Sequence, residues 1–100
     1  MNIRILPNAE KDLELGASFY ESQREGLGEY FIASLISDIE SLKLFAGIHE
    51  QYRGFHRSIS KRFPFAIYYR VETETVDIYA VLDCRQNPKK TDDRLQGEGA

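Results

Sequence analysis

KRFPFAIYYRV, residues Lys61 to Val71, joins a basic edge to the most strand-like run in the chain. In extended backbone successive side chains alternate between faces, so Phe65, Ile67, Tyr69 and Val71 point one way and Ala66, Tyr68 and Arg70 the other. ETET, Glu72 to Thr75, follows as a tight polar turn. VDIYAVLD, Val76 to Asp83, then alternates again, with Val76, Ile78, Ala80 and Leu82 expected on one face. Two alternating runs about a short polar turn form a β-hairpin whose shared apolar face needs a cover. YRGFHRSIS adds a further strand over roughly residues 53–60.

The cover lies upstream. NIRIL, residues 2–6, reads as an opening strand ended by Pro7, and Pro7 with Asn8 starts a helix. Ala9, Leu13, Ala17 and Tyr20 recur on one face of that helix, with Glu10 and Asp12 in its first turn, where the dipole favours negative charge. Gly16 inside it costs about 1 kcal/mol relative to alanine, so a close packing neighbour is expected there. Gly26 and Gly28 in EGLGEY end this helix and begin a second. Its apolar stripe is Phe31, Leu35, Ile39 and Leu42, widened by Ile32 and Ala46. Asp38 sits at the edge of that stripe, facing a basic residue or water, and Gly47 closes the helical region. The fold class this implies is α+β: an N-terminal strand, a helical hairpin, then an antiparallel sheet of three strands, in two layers. Residues 1–95 are expected to form a single domain. The polar end, KKTDDRLQGEGA, is expected to fray, with residues 96–100 a flexible tail.

Composition agrees with one globular domain. At 100 residues the chain supports a single core, and 42% hydrophobic with 29% charged residues excludes a disordered reading. No apolar run approaches the roughly 18 to 20 residues of a membrane helix, and the start lacks a signal-peptide layout. A soluble, cytoplasmic protein is expected, which the lone Cys84 also suits. The net charge of −3 is unevenly spread: residues 1–52 hold four basic and nine acidic side chains, residues 53–90 eight basic and four acidic. The basic half suits an acidic or polyanionic partner. It equally suits strand edges that carry Lys and Arg against aggregation.

Catalytic templates are missing. The sequence has no Gly-rich phosphate loop, no His-Glu-x-x-His, no paired cysteines and no nucleophile in a Gly-flanked turn. No cofactor or metal is expected. His49 and His56 are isolated and read as surface or capping residues, and Cys84 as a half-buried inert thiol. Tyr68, Tyr69 and Tyr79 suit base stacking in principle, but strand packing accounts for them. What stands out is cationic: Arg57, Arg70 and Arg85 lie on or just beyond neighbouring strands, and Lys61 and Arg62 at the preceding turn. Guanidinium forks pair with carboxylates and phosphates alike, which leaves an acidic protein segment and a nucleic-acid backbone both open as partners.

From about Ile3 to Pro88 the sequence resembles the RelE/ParE superfamily of toxins from bacterial type II toxin–antitoxin systems, and within it the ParE-like branch of plasmid stabilisation proteins. Pro7, Ala9, Asp12, Leu13, Ala17 and Tyr20 resemble the branch's first helix. RFPFAIYYRVE, Arg62 to Glu72, is similar to its best-marked strand and is the specific part. VLDCRQNP, Val81 to Pro88, resembles an end motif written His-x-Arg-Arg-x-Pro. Arg85 and Pro88 match it; Asp83 stands where the His is common and Gln86 where the second Arg is.

The resemblance implies a helical hairpin against an antiparallel sheet. It also implies a cognate antitoxin that wraps and silences the chain in a hetero-oligomer, received by a groove of apolar and basic character. RelE-like members cut messenger RNA on the ribosome with strand-borne Arg or Lys and a late His or Tyr, whereas the ParE-like branch is associated with inhibition of DNA gyrase. Aligning the nucleases' Arg-Leu-Val-Tyr strand on Tyr69 puts their catalytic arginine at Ala66, which cannot stabilise a phosphorane. The leading expectation is therefore a toxin without catalytic residues, DNA gyrase as its target, and Arg57, Lys61, Arg62, Arg70 and Arg85 as partner contacts. Two readings stand beside it. One is a ribosome-dependent endoribonuclease using Arg57, Lys61 and Arg70 with Tyr68 or Tyr79; the other is a non-toxic remnant that binds only the antitoxin.

Overall fold

In the computed structural model, which describes residues 1–99, the chain runs β1 (Asn2–Ile5), α1 (Pro7–Gln23), α2 (Leu27–Glu40) and a helical turn α3 (Leu42–Phe45). There follow β2 (Gln51–Tyr52), β3 (Phe55–Ile59), β4 (Phe65–Val71), β5 (Thr75–Asp83) and α4 (Pro88–Gly99). The strands form one sheet in the order β1-β5-β4-β3-β2, with β1 parallel to β5 and the other pairs antiparallel. The α+β arrangement matches the sequence reading, but the sheet has five strands because the opening strand joins β5 and Gln51–Tyr52 pair with β3. Arg53 (φ 55) and Gly54 (φ 86) are both left-handed and make the two-residue turn between β2 and β3. The strand expected from residue 53 accordingly begins at Phe55.

The helical hairpin covers one face of the sheet. Ala9 and Leu13 of α1 and Phe31, Leu35 and Ile39 of α2 pack on Phe65, Ile67, Tyr69, Val76, Ile78 and Val81. The neighbour expected at Gly16 is Phe31: a Cβ on Gly16 would come within 2.5 Å of the ring's Cζ. Gly26 (φ 87) turns the chain into α2, where the carboxylate of Glu21 accepts from the amides of Gly26 at 3.1 Å and Gly28 at 2.9 Å. These are helix-start amides that would otherwise lack partners. Asp38 resolves in favour of neither earlier alternative: it accepts from the Ser60 hydroxyl at 2.7 Å and the Lys61 amide at 3.2 Å, and so fastens the β3–β4 loop to α2.

Two features of β5 and the C-terminus depart from the sequence reading. Tyr68 pairs with Ala80 but Tyr69 with Ile78, so Tyr79 is an extra residue, a β-bulge. The bulge reverses the alternation. Val76, Ile78 and Val81 meet the helices, whereas Ala80 and Leu82 turn to the opposite face, which corrects their expected placement together. That opposite face is also covered. Leu95 of α4, 1% exposed, packs with Phe55, Ala66, Tyr68 and Ala80, adding a partial third layer to the expected two. The segment read as fraying is helical because Asn87 caps it, accepting from the Lys89 amide at 2.8 Å, and because Leu95 gives it an apolar anchor. Residues 96–99 continue the helix, and Ala100 lies outside the described residues.

Candidate functional site

The five cations read from sequence fall into two groups rather than one. Lys61, Arg62 and Arg85 sit at one end of the sheet, where the loop after β3 meets the chain leaving β5 and the Cys84 amide bonds the Pro64 carbonyl at 2.7 Å. Arg57 and Arg70 lie on the face that carries α4.

At the sheet end Arg85 is held from two sides. Its Nε and Nη2 donate to the two oxygens of Asp83 at 3.0 and 2.8 Å, and its own amide donates to Asp83 Oδ1 at 2.8 Å. Nη2 also lies 3.4 Å from the hydroxyl of Tyr20, whose ring meets Phe63 with centroids 4.8 Å apart. The hydrogen bonds from Arg85 hold the Asp83 carboxyl below the usual carboxylate range. The residue that departs from the end motif thus orients the residue that matches it. Lys61 and Arg62 are exposed on the neighbouring loop, and neither forms an ion pair among the described residues.

On the α4 face the arginines lie against aromatic rings. Arg57 stacks over Tyr52 with Cζ 4.5 Å from the ring centroid and pairs with Glu50, Nε and Nη2 to Oε1 at 3.1 and 2.5 Å. Arg70 lies 4.2 Å over Phe55 and 5.2 Å from Tyr79, and its Nε donates to the Gly54 carbonyl at 3.1 Å. Flat guanidinium-on-ring contacts are favourable and consume little of the group's hydrogen-bonding capacity. Ala66 is fully buried beneath this face.

Two side-chain clusters lay outside the sequence reading. Arg94 of α4 grips Asp12 of α1 through two hydrogen bonds of 2.7 and 2.8 Å; it sat in the segment dismissed as polar tail, and no local pattern marks it. Around the buried Tyr69, the Gly47 amide donates to the hydroxyl at 2.9 Å and His49 Nδ1 lies 2.6 Å away, while the His56 ring stacks on the phenol at 5.1 Å. Burial and the nearby His56 push the His49 imidazole below its ordinary value. Both histidines therefore serve local structure.

A further concavity lies away from the basic side. A groove of about 830 Å3 runs between α1 and α2, floored by Ala17, Ile32 and Ile36 and rimmed by Glu21, Glu25 and Glu29. Glu21 stands on α1, Glu25 in the turn and Glu29 on α2, so the rim is assembled by the hairpin. The lining combines apolar and acidic character. Among the described residues no group of three His, Cys, Asp or Glu is placed to hold a metal, and no helix is long and apolar enough to cross a membrane.

Comparison with known proteins agrees with this architecture. A solved structure described as the chromosomal ParDE TA system from P. aeruginosa superposes with a TM-score of 0.68, covering 81% of this chain and 92% of that one at 18% identity. No curated sequence matches significantly. The family model for the ParE toxin of type II toxin–antitoxin systems, parDE, matches residues 3–88, which takes in the helical hairpin, β2 to β5, all of β1 but Asn2, and Arg85. The chain belongs to the ParE toxin family of type II toxin–antitoxin systems.

Proposed function

We propose that the chain is a cytoplasmic growth-inhibiting toxin that acts on DNA gyrase and is silenced by a cognate antitoxin. The observation that carries the non-nucleolytic half of this reading is Ala66. It is fully buried among Phe55, Tyr68, Ala80 and Leu95, so the strand position that would present a catalytic arginine offers a methyl group inside a packed layer. Arg85, Lys61 and Arg62 at the sheet end are the proposed target contacts. The groove between α1 and α2 is the proposed antitoxin seat. Its apolar floor and the acidic rim of Glu21, Glu25 and Glu29 suit an amphipathic helix with basic flanks.

Inducible expression of the chain alone in a bacterial host tests this, with plasmid supercoiling and transcript ends read from one culture. Growth arrest with relaxed or broken DNA and intact transcripts is expected. Codon-registered transcript cleavage would instead establish the ribonuclease reading, and unimpaired growth at high expression the antitoxin-binding remnant.

A further inference from the structure

At the sheet end four aromatic rings run in sequence beside the exposed cations. Phe19 meets Tyr20 with centroids 5.1 Å apart, Tyr20 meets Phe63 at 4.8 Å, and Phe63 meets Tyr30 at 5.5 Å. Tyr20 and Phe63, the inner two, are half-buried and buried, whereas Phe19 is 52% exposed and Tyr30 49%. Single exposed apolar side chains are ordinary on a protein surface, but two large rings joined through two more form a continuous patch. A hollow of about 370 Å3 opens against Phe19, walled by Leu15, Phe65, Val81 and Leu82. The carboxylates that share its lining, Asp12 and Asp83, are held by Arg94 and Arg85. Arg62 immediately precedes Phe63, and Arg85 Nη2 lies 3.4 Å from the Tyr20 hydroxyl, so the cations border the rings.

Rings beside basic side chains suit two partners: bases on a phosphate backbone, or apolar side chains within an acidic protein segment. Charge decides between them. Lys61 and Arg62 form no ion pair among the described residues, and Arg85 is already offset by Asp83, within a chain of net charge −3. A nucleic-acid backbone is held by several cations acting together, and a chain of negative net charge repels it. Two free cations suit carboxylates at the rim of an apolar contact, as in protein–protein interfaces. We propose that the sheet end docks an acidic protein segment whose apolar side chains seat against Phe19 and Tyr30 and whose carboxylates meet Lys61 and Arg62. This names the chemistry of the target contact put forward above, and rests on that reading for the partner's identity. The rings supply most of the affinity, and the cations the orientation and the encounter rate.

The test is a titration of the 15N-labelled full-length chain with a blocked Asp-Phe-Glu-Asp-Phe-Glu peptide at constant ionic strength, following the backbone amides of Phe19, Tyr30 and Arg62. Saturable shifts at those amides are expected. Affinity should fall at least about tenfold for the counterpart peptide with Ala for Phe, and for a Phe19→Ala, Tyr30→Ala variant of the chain. Lys61→Gln with Arg62→Gln should also weaken binding, and should flatten its decline when the titration is repeated at higher salt. Shifts that do not saturate would overturn the proposal, as would native affinity in the aromatic variant. Tighter binding of a thymidylate hexamer than of the Phe peptide would overturn it in favour of nucleic acid. If the aromatic variant fails to fold, the charge variant on the exposed loop decides, since unchanged affinity there equally rejects the surface. Binding of both variants to DNA-free gyrase separates this proposal from the target reading. Native affinity of the aromatic variant for gyrase keeps gyrase as the target and rejects this surface as its contact. Peptide binding without gyrase binding keeps the surface and rejects gyrase.

Discussion

Asp12 on α1 and Arg94 on α4 form a two-pronged ion pair at the stretch of β5 that β1 leaves uncovered. β1 pairs with β5 only as far as Ile78; beyond it Asp12 Oδ2 accepts from the Val81 amide at 3.0 Å and Arg94 Nη2 lies 3.4 Å from the Tyr79 carbonyl. Side chains thus supply hydrogen bonds that a longer first strand would have made, and the open edge is blunted in the same act. The pair also fastens the C-terminal helix to the first.

Arg94→Met should therefore destabilise the fold by about 3 kcal/mol. That is the low end for a broken buried pair, because the Arg94 side chain keeps 27% of its surface in water while Asp12, at 8%, is left with an uncompensated charge. Urea unfolding measures this. A loss below about 1 kcal/mol would place the pair among ordinary surface bridges.

Two glycines in helices should respond to alanine with opposite sign. At Gly16 the added Cβ would press 2.5 Å from a fully buried Phe31 ring, and overpacking of about 1 to 3 kcal/mol should outweigh the gain in helix propensity of about 1 kcal/mol. At Gly97 in α4 nothing lies within 4 Å, so alanine should stabilise by about 0.5 to 1 kcal/mol. Equal shifts in the two denaturation midpoints would contradict the close approach of α1 and α2.

His49 should make stability depend on pH. Its folded-state pKa is depressed below the ordinary 6.5, first by burial and then by His56, so just below pH 6.5 the unfolded chain binds more protons than the folded one. The contribution is complete above that pH, declines as the pH falls below it, and levels off once the folded-state value is passed. Geometry gives the same sign. With the Gly47 amide donating to the Tyr69 hydroxyl, the phenolic proton is directed at His49 Nδ1, which accepts it only when unprotonated. Thermal melts between about pH 5.5 and 7 should show this slope in the native chain and lose it in His49→Gln, whose amide oxygen still accepts.

Much of the fold was legible because its signals are local. The apolar faces Ala9–Leu13 and Phe31–Leu35–Ile39, the close approach at Gly16 and the alternation of Phe65, Ile67 and Tyr69 all recur at helix or strand period. What escaped depends on pairs distant in sequence or on a broken period. The bulge at Tyr79 moved Ala80 and Leu82 to the other face, and α4 owes its place to Arg94 finding Asp12 and Leu95 finding Phe55. The cations were legible as residue types, but their separation into two places was not. Arg57 and Arg70 share a face with aromatic rings while Arg85, Lys61 and Arg62 occupy the sheet end, a division set by register.

That division separates the roles of the cations. Arg85→Ala combined with Arg62→Ala should leave the thermal midpoint nearly unchanged, since both side chains are exposed, yet abolish growth arrest. Arrest and antitoxin affinity both at native levels in the double variant would show that the sheet end contacts neither partner.

The most direct measurement is DNA supercoiling by purified gyrase with increasing amounts of the purified chain. Loss of supercoiling, relieved by Arg85→Ala in the toxin and absent for a heat-denatured sample, is the predicted result. Undiminished supercoiling at saturating, correctly folded protein that still arrests growth in cells would contradict gyrase as the target.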